Sequence, residues 1–123
     1  VGKYILESLT QIPTEVEIAS EIRGRKLLVN NRTLTIAVSQ SGETADTLAA
    51  IKDAKEGGSF TLGITNRPDS HLAHITTDII TTECGIEVSV AATKTYVAQL
   101  ASFYLLGIYL AQEKGLLSEE KAF

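Results

Sequence analysis

The sequence predicts an α/β domain, in which a mostly parallel sheet lies between two layers of helices. Short segments rich in β-branched residues alternate with segments that have helical spacing, and this alternation is typical of βαβ units. In addition, the centre of the segment Thr33–Ser39 is continuously apolar, as expected for a strand that is buried on both faces. Together these observations predict a three-layer α/β/α sandwich.

Four segments are predicted strands. They are short, rich in β-branched or apolar residues, and bounded by turn-forming residues such as the Asn30-Asn31-Arg32 turn before the second strand. The predicted strands are Val16–Ala19, Thr33–Ser39, Phe60–Thr65 and Ile75–Thr81. Predicted helices separate the last three strands, so we expect these three to pair in parallel.

The helical segments have their own start and stop signals. Leu48, Ile51 and Ala54 have helical spacing, and the Gly57-Gly58 pair ends their helix. Pro13 ends the first helix, because proline disfavours helical geometry at the residue before it. The predicted helices are Gly2–Leu9, Ala45–Lys55, a short helix at Ser70–Ala73 and, after a loop at Glu83–Ala92, a long helix that ends near Lys114.

Composition limits the class of protein. The chain has 123 residues, of which 44% are hydrophobic and 21% charged, as is typical of a globular domain with a core. A net charge of −4 argues against a nucleic-acid-binding protein, which needs a basic face. Cys84 has no second cysteine to pair with and no signal peptide opens the sequence, so we expect a cytoplasmic location. Because the chain begins at Val1 within a predicted helix, we also expect it to be part of a longer protein.

The predicted long helix has no charged residue between Thr95 and Gln112, a length that approaches a membrane span. Gln99 and Ser102 interrupt this apolar stretch, however, and neither an aromatic belt nor a basic cluster flanks it. A helix that is apolar on nearly every side is more simply explained by burial on two sides. We therefore expect one side to face the sheet and the other to face a second domain or subunit, with no membrane contact.

The hexapeptide SQSGET, at positions 39–44, connects a predicted strand to a predicted helix and carries three hydroxyl groups. Ligands of open α/β sheets bind beyond the carboxyl ends of the strands, where helix N-termini attract anions. The hydroxyls can donate to a phosphate, and Gly42 lets the backbone approach a ligand closely. The loop is neither a Walker A loop, a dinucleotide fingerprint nor a nucleophile elbow. Two interpretations remain open, a phosphate-binding loop or a helix start with surplus capping residues.

Longer stretches of the chain resemble a known family. The segments SQSGETADTLAA, CGIEVSVAATKTYVAQL and ESLTQIPTEVEIASEIRGR are similar to the sugar isomerase (SIS) domain, in particular to the first SIS domain of the glutamine–fructose-6-phosphate aminotransferases. The resemblance covers nearly the whole chain. It implies a single SIS domain over residues 1–123 with a flavodoxin-like architecture, whose first strand would precede Val1.

The resemblance also implies which residues bind the ligand, a hexose 6-phosphate. In this family the serine-rich loop holds the phosphate, and the loop that opens the last long helix contacts the sugar. The implied substrate-binding residues are Ser39, Gln40, Ser41, Gly42, Thr44, Val90 and Ala92. Val90 would contribute through its backbone. Ala92 stands where many members have a serine, so one hydroxyl contact to the sugar would be missing.

The function that the resemblance implies is that of the isomerase half of an enzyme. This enzyme converts fructose 6-phosphate and glutamine to glucosamine 6-phosphate and glutamate, and no cofactor or metal is expected. The catalytic groups lie outside the matching region, so the fragment alone would be inactive. The implied partners are the sugar phosphate, a second SIS domain, a glutaminase domain and a second copy in a homodimer. The alternatives are a non-catalytic sugar-phosphate sensor domain of a transcription regulator and another SIS isomerase or deglycase.

Overall fold

A computed structural model describes residues 1–85 and 93–118. These residues contain five helices and three strands. The helices are α1 (Gly2–Thr10), α2 (Ala19–Ile22), α3 (Ala45–Glu56), α4 (His71–Ile75) and α5 (Lys94–Glu113). The strands are β1 (Leu34–Val38), β2 (Phe60–Thr65) and β3 (Asp78–Thr81).

The three strands form one parallel sheet in the order β1-β2-β3. Val38 is paired with Ile64, and Thr65 is paired with Thr81, so the carboxyl ends of all three strands lie along the same edge of the sheet. The loops that leave these strands therefore start side by side. This edge is where ligands bind in open α/β sheets.

Helices cover both faces of the central strand β2. On one face Ala37, Ile51 and Leu72 form the core, and α4 packs so closely on β2 that a Cβ on Gly63 would lie 3.1 Å from Leu72 Cγ. The adjacent residue Ile64 points to the opposite face and is also fully buried, on the side where α5 contacts β2. The expected three-layer α/β/α sandwich is confirmed. Burial of each large aliphatic side chain contributes about 1.5–3 kcal/mol to folding.

The first and last helices pack closely against each other. A Cβ on Gly107 of α5 would lie 2.7 Å from Leu9 Cδ1 of α1, so the Leu9 side chain packs directly against the backbone of α5. Lys114 Nζ donates to Thr10 O over 2.9 Å and satisfies a carbonyl at the C-terminus of α1. The pair α1 and α5 therefore forms one layer of the sandwich.

Helix α5 is buried on one side only within the described residues. Thr95, Ser102, Gly107 and Ala111 are buried. Its exposed large side chains are Tyr96, Val97, Tyr104, Leu105 and Tyr109. Among residues 1–85 and 93–118, no helix has both the length and the apolar character that crossing a bilayer requires.

Three predicted features of the strands were wrong. Residues Val16–Ala19 do not form a strand, because none of the described strands pairs with them. Ala19 begins α2 instead, and Val16 is 69% exposed. Strand β3 begins at Asp78 and not at Ile75, since Ile75 completes α4. Strand β1 is not buried on both faces, because it lies at an edge of the described sheet and only Ala37 is buried.

The other predicted elements agree with the structure. The segment Phe60–Thr65 is β2 with the predicted bounds, and α1 and α3 each extend one residue beyond their predicted ends. A helix was expected to end near Lys114, and this residue is the C-cap of α5.

Candidate functional site

The candidate site lies at the carboxyl end of β1, where residues 39–44 lead into α3. Hydrogen bonds hold this loop against the end of β2: Ser39 N donates to Ile64 O over 3.0 Å, and Thr65 Oγ1 donates to Gln40 O over 3.2 Å. Two neighbouring strands thus fix the first half of the loop. The loop is therefore held against the sheet by the protein's own hydrogen bonds.

Gly42 is the turning point of the loop. Its φ of +69° lies in the left-handed region, and a Cβ there would lie 2.2 Å from Ser70 Oγ and 2.9 Å from Thr65 Oγ1. Gly42 O also accepts a hydrogen bond from Leu72 N over 3.0 Å, which joins the loop to α4. Both the backbone conformation and the lack of space require glycine at this position.

A pair of hydroxyls lies at the centre of the loop. Ser39 Oγ accepts from Gly42 N over 3.1 Å and lies 2.8 Å from Thr44 Oγ1. Ser39 is 6% exposed, so its proton needs a partner within the protein, and Thr44 Oγ1 is the acceptor within reach. In that arrangement the proton of the exposed Thr44 hydroxyl is left to donate outward. Ser39 therefore orders the loop, and Thr44 presents a donor to solvent.

Ser41 and Gln40 are both exposed. Ser41 Oγ accepts from Glu43 N over 3.2 Å, which leaves its own proton available for a ligand. Gln40 uses its backbone carbonyl for Asn66 N and Thr65 Oγ1, and its side-chain amide extends into solvent. The loop thus presents two hydroxyl donors and one amide at the surface.

The N-terminus of α3 is not capped by a side chain. Thr44 occupies the N-cap position with φ −66° and ψ 113°, yet its side chain makes no capping hydrogen bond. The N–H groups of the first turn therefore face the loop together with the positive end of the helix dipole. Asp46, in this first turn, forms an ion pair of 3.2 Å with Arg23, which offsets its negative charge. The arrangement is suited to binding an anion.

The carboxylate of Glu43 is used by the neighbouring helix. Its Oε1 accepts from His71 N over 2.8 Å, at the start of α4. Farther along the same edge, in the loop after β2, Arg67 Nε donates to Asp69 Oδ1 over 3.2 Å. This hydrogen bond and the Arg67 charge lower the pKa of Asp69 below its ordinary value of 3.8. The Glu43 carboxylate and the Arg67–Asp69 ion pair are therefore all engaged in contacts at the entry to α4.

One residue of this edge was missed as a site residue from the sequence. Asn66 follows β2 directly and forms hydrogen bonds to the loops that follow both neighbouring strands. Its backbone N–H donates to Gln40 O over 3.0 Å, and its Oδ1 accepts from Cys84 N over 2.7 Å. Its position in the sequence could have identified it, because a polar residue directly after the central strand lies where ligands of such sheets bind.

Two of the predicted site residues, Val90 and Ala92, lie outside the described residues. The structure brings the other predicted positions, residues 39–42 and 44, together in one loop. Cys84 is half-buried, and its Sγ lies 3.4 Å from Thr82 O, as expected for a packing residue. Within residues 1–85 and 93–118, no three His, Cys, Asp or Glu side chains are grouped as a metal site requires.

The chain is similar in sequence to several enzymes with one name. Over 121 residues it is 54% identical to the glutamine–fructose-6-phosphate aminotransferase (isomerizing) of Gloeobacter violaceus and 48% identical to that of Clostridium tetani. Each match covers 98% of this chain and 20% of the relative. The chain thus spans about a fifth of the length of these relatives.

Solved structures with related names have the same fold. The C-terminal domain of glucosamine-fructose-6-phosphate aminotransferase from Francisella tularensis matches with a TM-score of 0.93 and 35% identity, over 98% of this chain and 34% of that one. Glucosamine-6-phosphate deaminase from Thermotoga maritima matches with a TM-score of 0.80 and 26% identity, over 98% of this chain and 37% of that one. The family of SIS domains matches residues 1–109. Because this match extends over most of the sequence, the chain belongs to the SIS domain family.

Proposed function

We propose that the chain is a hexose-6-phosphate-binding SIS domain from the isomerase half of a glutamine–fructose-6-phosphate aminotransferase. The observation that carries this proposal is the uncapped N-terminus of α3 beneath a loop with two outward hydroxyl donors. The shared name of relatives that are 54% and 48% identical supports this substrate class. The ligands are fructose 6-phosphate and glucosamine 6-phosphate.

Each loop residue has a role in this proposal. The hydroxyls of Ser41 and Thr44 and the first N–H groups of α3 bind the phosphate, because charge-assisted hydrogen bonds to an anion are strong. Gln40 binds a sugar hydroxyl through its amide. Ser39 holds Thr44 in place, and Gly42 brings the backbone close to the phosphate. Val90, through its backbone, and Ala92 belong to the sugar side of the site.

The complete enzyme would convert fructose 6-phosphate and glutamine to glucosamine 6-phosphate and glutamate. Glutamine hydrolysis supplies ammonia, an imine forms at C2 of the sugar, and a proton moves between C1 and C2. This domain anchors the phosphate and so orients the sugar, which contributes to the rate through proximity. The acid and base come from other parts of the enzyme, so the chain alone is inactive, and the reaction needs no cofactor.

The exposed side of α5 is proposed to contact other parts of this enzyme. Tyr104 is 52% exposed and Leu105 is 68% exposed, and such large apolar surfaces are costly in water. The partners we infer are a second SIS domain, a glutaminase domain and a second copy in a homodimer. In this proposal residues 1–123 belong to a single SIS domain, and the enzyme is cytoplasmic.

Binding measurements test the proposal directly. Calorimetric titration should show measurable affinity for glucosamine 6-phosphate and none for glucosamine, because only the ester carries the charge that α3 attracts. Replacing both hydroxyls, as Ser41→Ala with Thr44→Ala, should weaken binding of the ester at least 100-fold, at about 1.5–3 kcal/mol per charge-assisted bond.

The matched control is Ser8→Ala, which removes an exposed hydroxyl from α1. It should leave the affinity for the ester unchanged. Equal affinity of the unmodified protein for the ester and the free sugar would contradict the phosphate-loop role. The reaction is tested separately: glutamine-dependent formation of glucosamine 6-phosphate by the full-length polypeptide identifies an aminotransferase. Release of ammonia from glucosamine 6-phosphate without glutamine would instead identify a deaminase.

A further inference from the structure

Asn66 forms hydrogen bonds to the loops that follow both of the neighbouring strands. Toward β1, its backbone N–H donates to Gln40 O over 3.0 Å. Toward β3, its side-chain Oδ1 accepts from Cys84 N over 2.7 Å, and its Nδ2 donates to Gly85 O over 2.7 Å. The backbone partners fix the orientation of the amide, because Cys84 N can only donate and Gly85 O can only accept.

The contacts of Asn66 extend beyond these two loops. Thr82 Oγ1 also donates to Asn66 Oδ1 over 3.2 Å, so the side chain binds three residues of the segment 82–85. Within this segment, Cys84 Sγ lies 3.7 Å from Lys94 O, in the first turn of α5. Asn66 therefore connects the SQSGET loop to the loop after β3, and Cys84 of that loop in turn contacts the start of the last helix.

We propose that Asn66 is a positioning residue, which holds the segment 82–85 next to the SQSGET loop so that both form one surface for the ligand. The inference rests on the proposed function. The backbone and the side chain of Asn66 have different roles, since the backbone N–H supports the phosphate loop, whereas the amide supports only the segment after β3. The phosphate binds at α3, and the sugar extends along the strand ends over the surface that the amide orders.

This separation of roles predicts a selective effect of Asn66→Ala in the full-length polypeptide that carries the chain. The substitution keeps the backbone hydrogen bond to Gln40 and removes every side-chain contact to the segment 82–85. We expect the dissociation constant for glucosamine 6-phosphate to rise about tenfold, from the loss of these hydrogen bonds. The dissociation constant for inorganic phosphate, measured by the same calorimetric titration, should stay unchanged.

Two further variants make the test specific. Asn30→Ala is the matched control: Asn30 Oδ1 accepts from Arg32 N over 2.8 Å in a turn at the opposite end of β1, and neither ligand should bind differently. Thr82→Val removes one of the Asn66 contacts and leaves those to Cys84 and Gly85 in place, so we expect a smaller loss for the sugar phosphate, about threefold.

Hydrogen exchange gives a readout that does not depend on the ligand. Exchange of the Cys84 amide should become faster in Asn66→Ala, whereas that of Thr82 N, which donates to Thr65 O, should not. Unchanged glucosamine 6-phosphate affinity in this variant would overturn the positioning role, and so would an equal loss for both ligands, which indicates general damage to the fold. If the unmodified protein binds glucosamine as tightly as its phosphate ester, the proposed function itself fails.

Discussion

The helices α3 and α4 begin side by side at the same edge of the sheet, but they differ in whether side chains cap their N-termini. At α4, Ser70 Oγ accepts from Ala73 N over 3.3 Å and Glu43 Oε1 accepts from His71 N over 2.8 Å. At α3, the N-cap residue Thr44 has a hydroxyl as well but makes no capping bond. The N-terminus of α4 is therefore saturated by the protein, whereas that of α3 is open.

The difference shows that the backbone N–H groups at the start of α3 are left without a side-chain cap. A missing cap costs about 1 kcal/mol of stability, so an open N-terminus is retained at a cost. The Thr44 hydroxyl lies 2.8 Å from Ser39 Oγ and is exposed to solvent, where it can donate to a ligand. The contrast argues against the interpretation that the hydroxyls of SQSGET are merely surplus caps.

The largest effect is expected at Gly42, which separates the two N-termini. Gly42→Ala should lower the free energy of unfolding by about 2–5 kcal/mol. Alanine is strained in the left-handed conformation of this residue, and its Cβ would lie 2.4 Å from Ser70 Cβ. Gly24→Ala is the control, since Gly24 has a φ of +83° but no atom within 4 Å of its Cβ position. It should cost about 1–2 kcal/mol in the same urea titration. Equal losses would mean that the contact with α4 has no energetic importance.

A smaller effect distinguishes the two N-caps. Ser70→Ala should lower the free energy of unfolding by about 1 kcal/mol, because it removes the cap of α4. Thr44→Ala removes no capping bond. Truncation of this exposed side chain also opens the space beside Ser39 Oγ to water, so the cost should be about 0.5 kcal/mol or less. Thermal unfolding of both variants measures the difference. If Thr44→Ala lowers the free energy of unfolding as much as Ser70→Ala does, the Thr44 hydroxyl caps α3 after all.

The smallest effect concerns the loop that enters α4. Arg67 lowers the pKa of Asp69 below 3.8, so Arg67→Ala should raise this pKa toward that value, as measured by NMR titration of the carboxyl group. Because the Asp69 pKa is lower in the folded state than in the unfolded state, ionised Asp69 stabilises the fold at pH values above its unfolded pKa. This stabilisation is lost as the pH falls below about 4 and through the pKa of the folded state. Both side chains are exposed, so the effect on stability is small. An unchanged pKa would show that the ion pair does not form in solution.

The elements with strong local signals were predictable from the sequence. The strand Phe60–Thr65 lies at the centre of the sheet and is buried from its second residue on, as its apolar sequence predicted. The segment Val16–Ala19 has a similar pattern but forms no strand, because a ladder depends on a neighbour that sequence pattern does not reveal. For the same reason the burial of β1 was overestimated.

The sequence indicated the SQSGET loop as the candidate site but not the contacts among its residues. The concentration of hydroxyls in SQSGET and its place after a strand indicated an anion-binding loop. The different roles of Ser39 and Thr44 depend on a 2.8 Å contact between their hydroxyls, which spacing alone does not determine. Asn66 was missed because its partners, Gln40 and Cys84, are distant in sequence and meet only when parallel strands end together.

The outer edge of β1 has a consequence for handling the chain. Thr33 O and Ser39 N bond to β2, so the alternate residues of β1 direct their backbone groups to the other edge, where no strand of the described residues pairs. These residues are Leu34, Ile36 and Val38. The segment LTIAV contains no lysine, proline or other gatekeeper, so it is a template for a foreign strand. The strand that leads into the SQSGET loop thus has an unpaired edge among the described residues, where another strand can add through backbone hydrogen bonds.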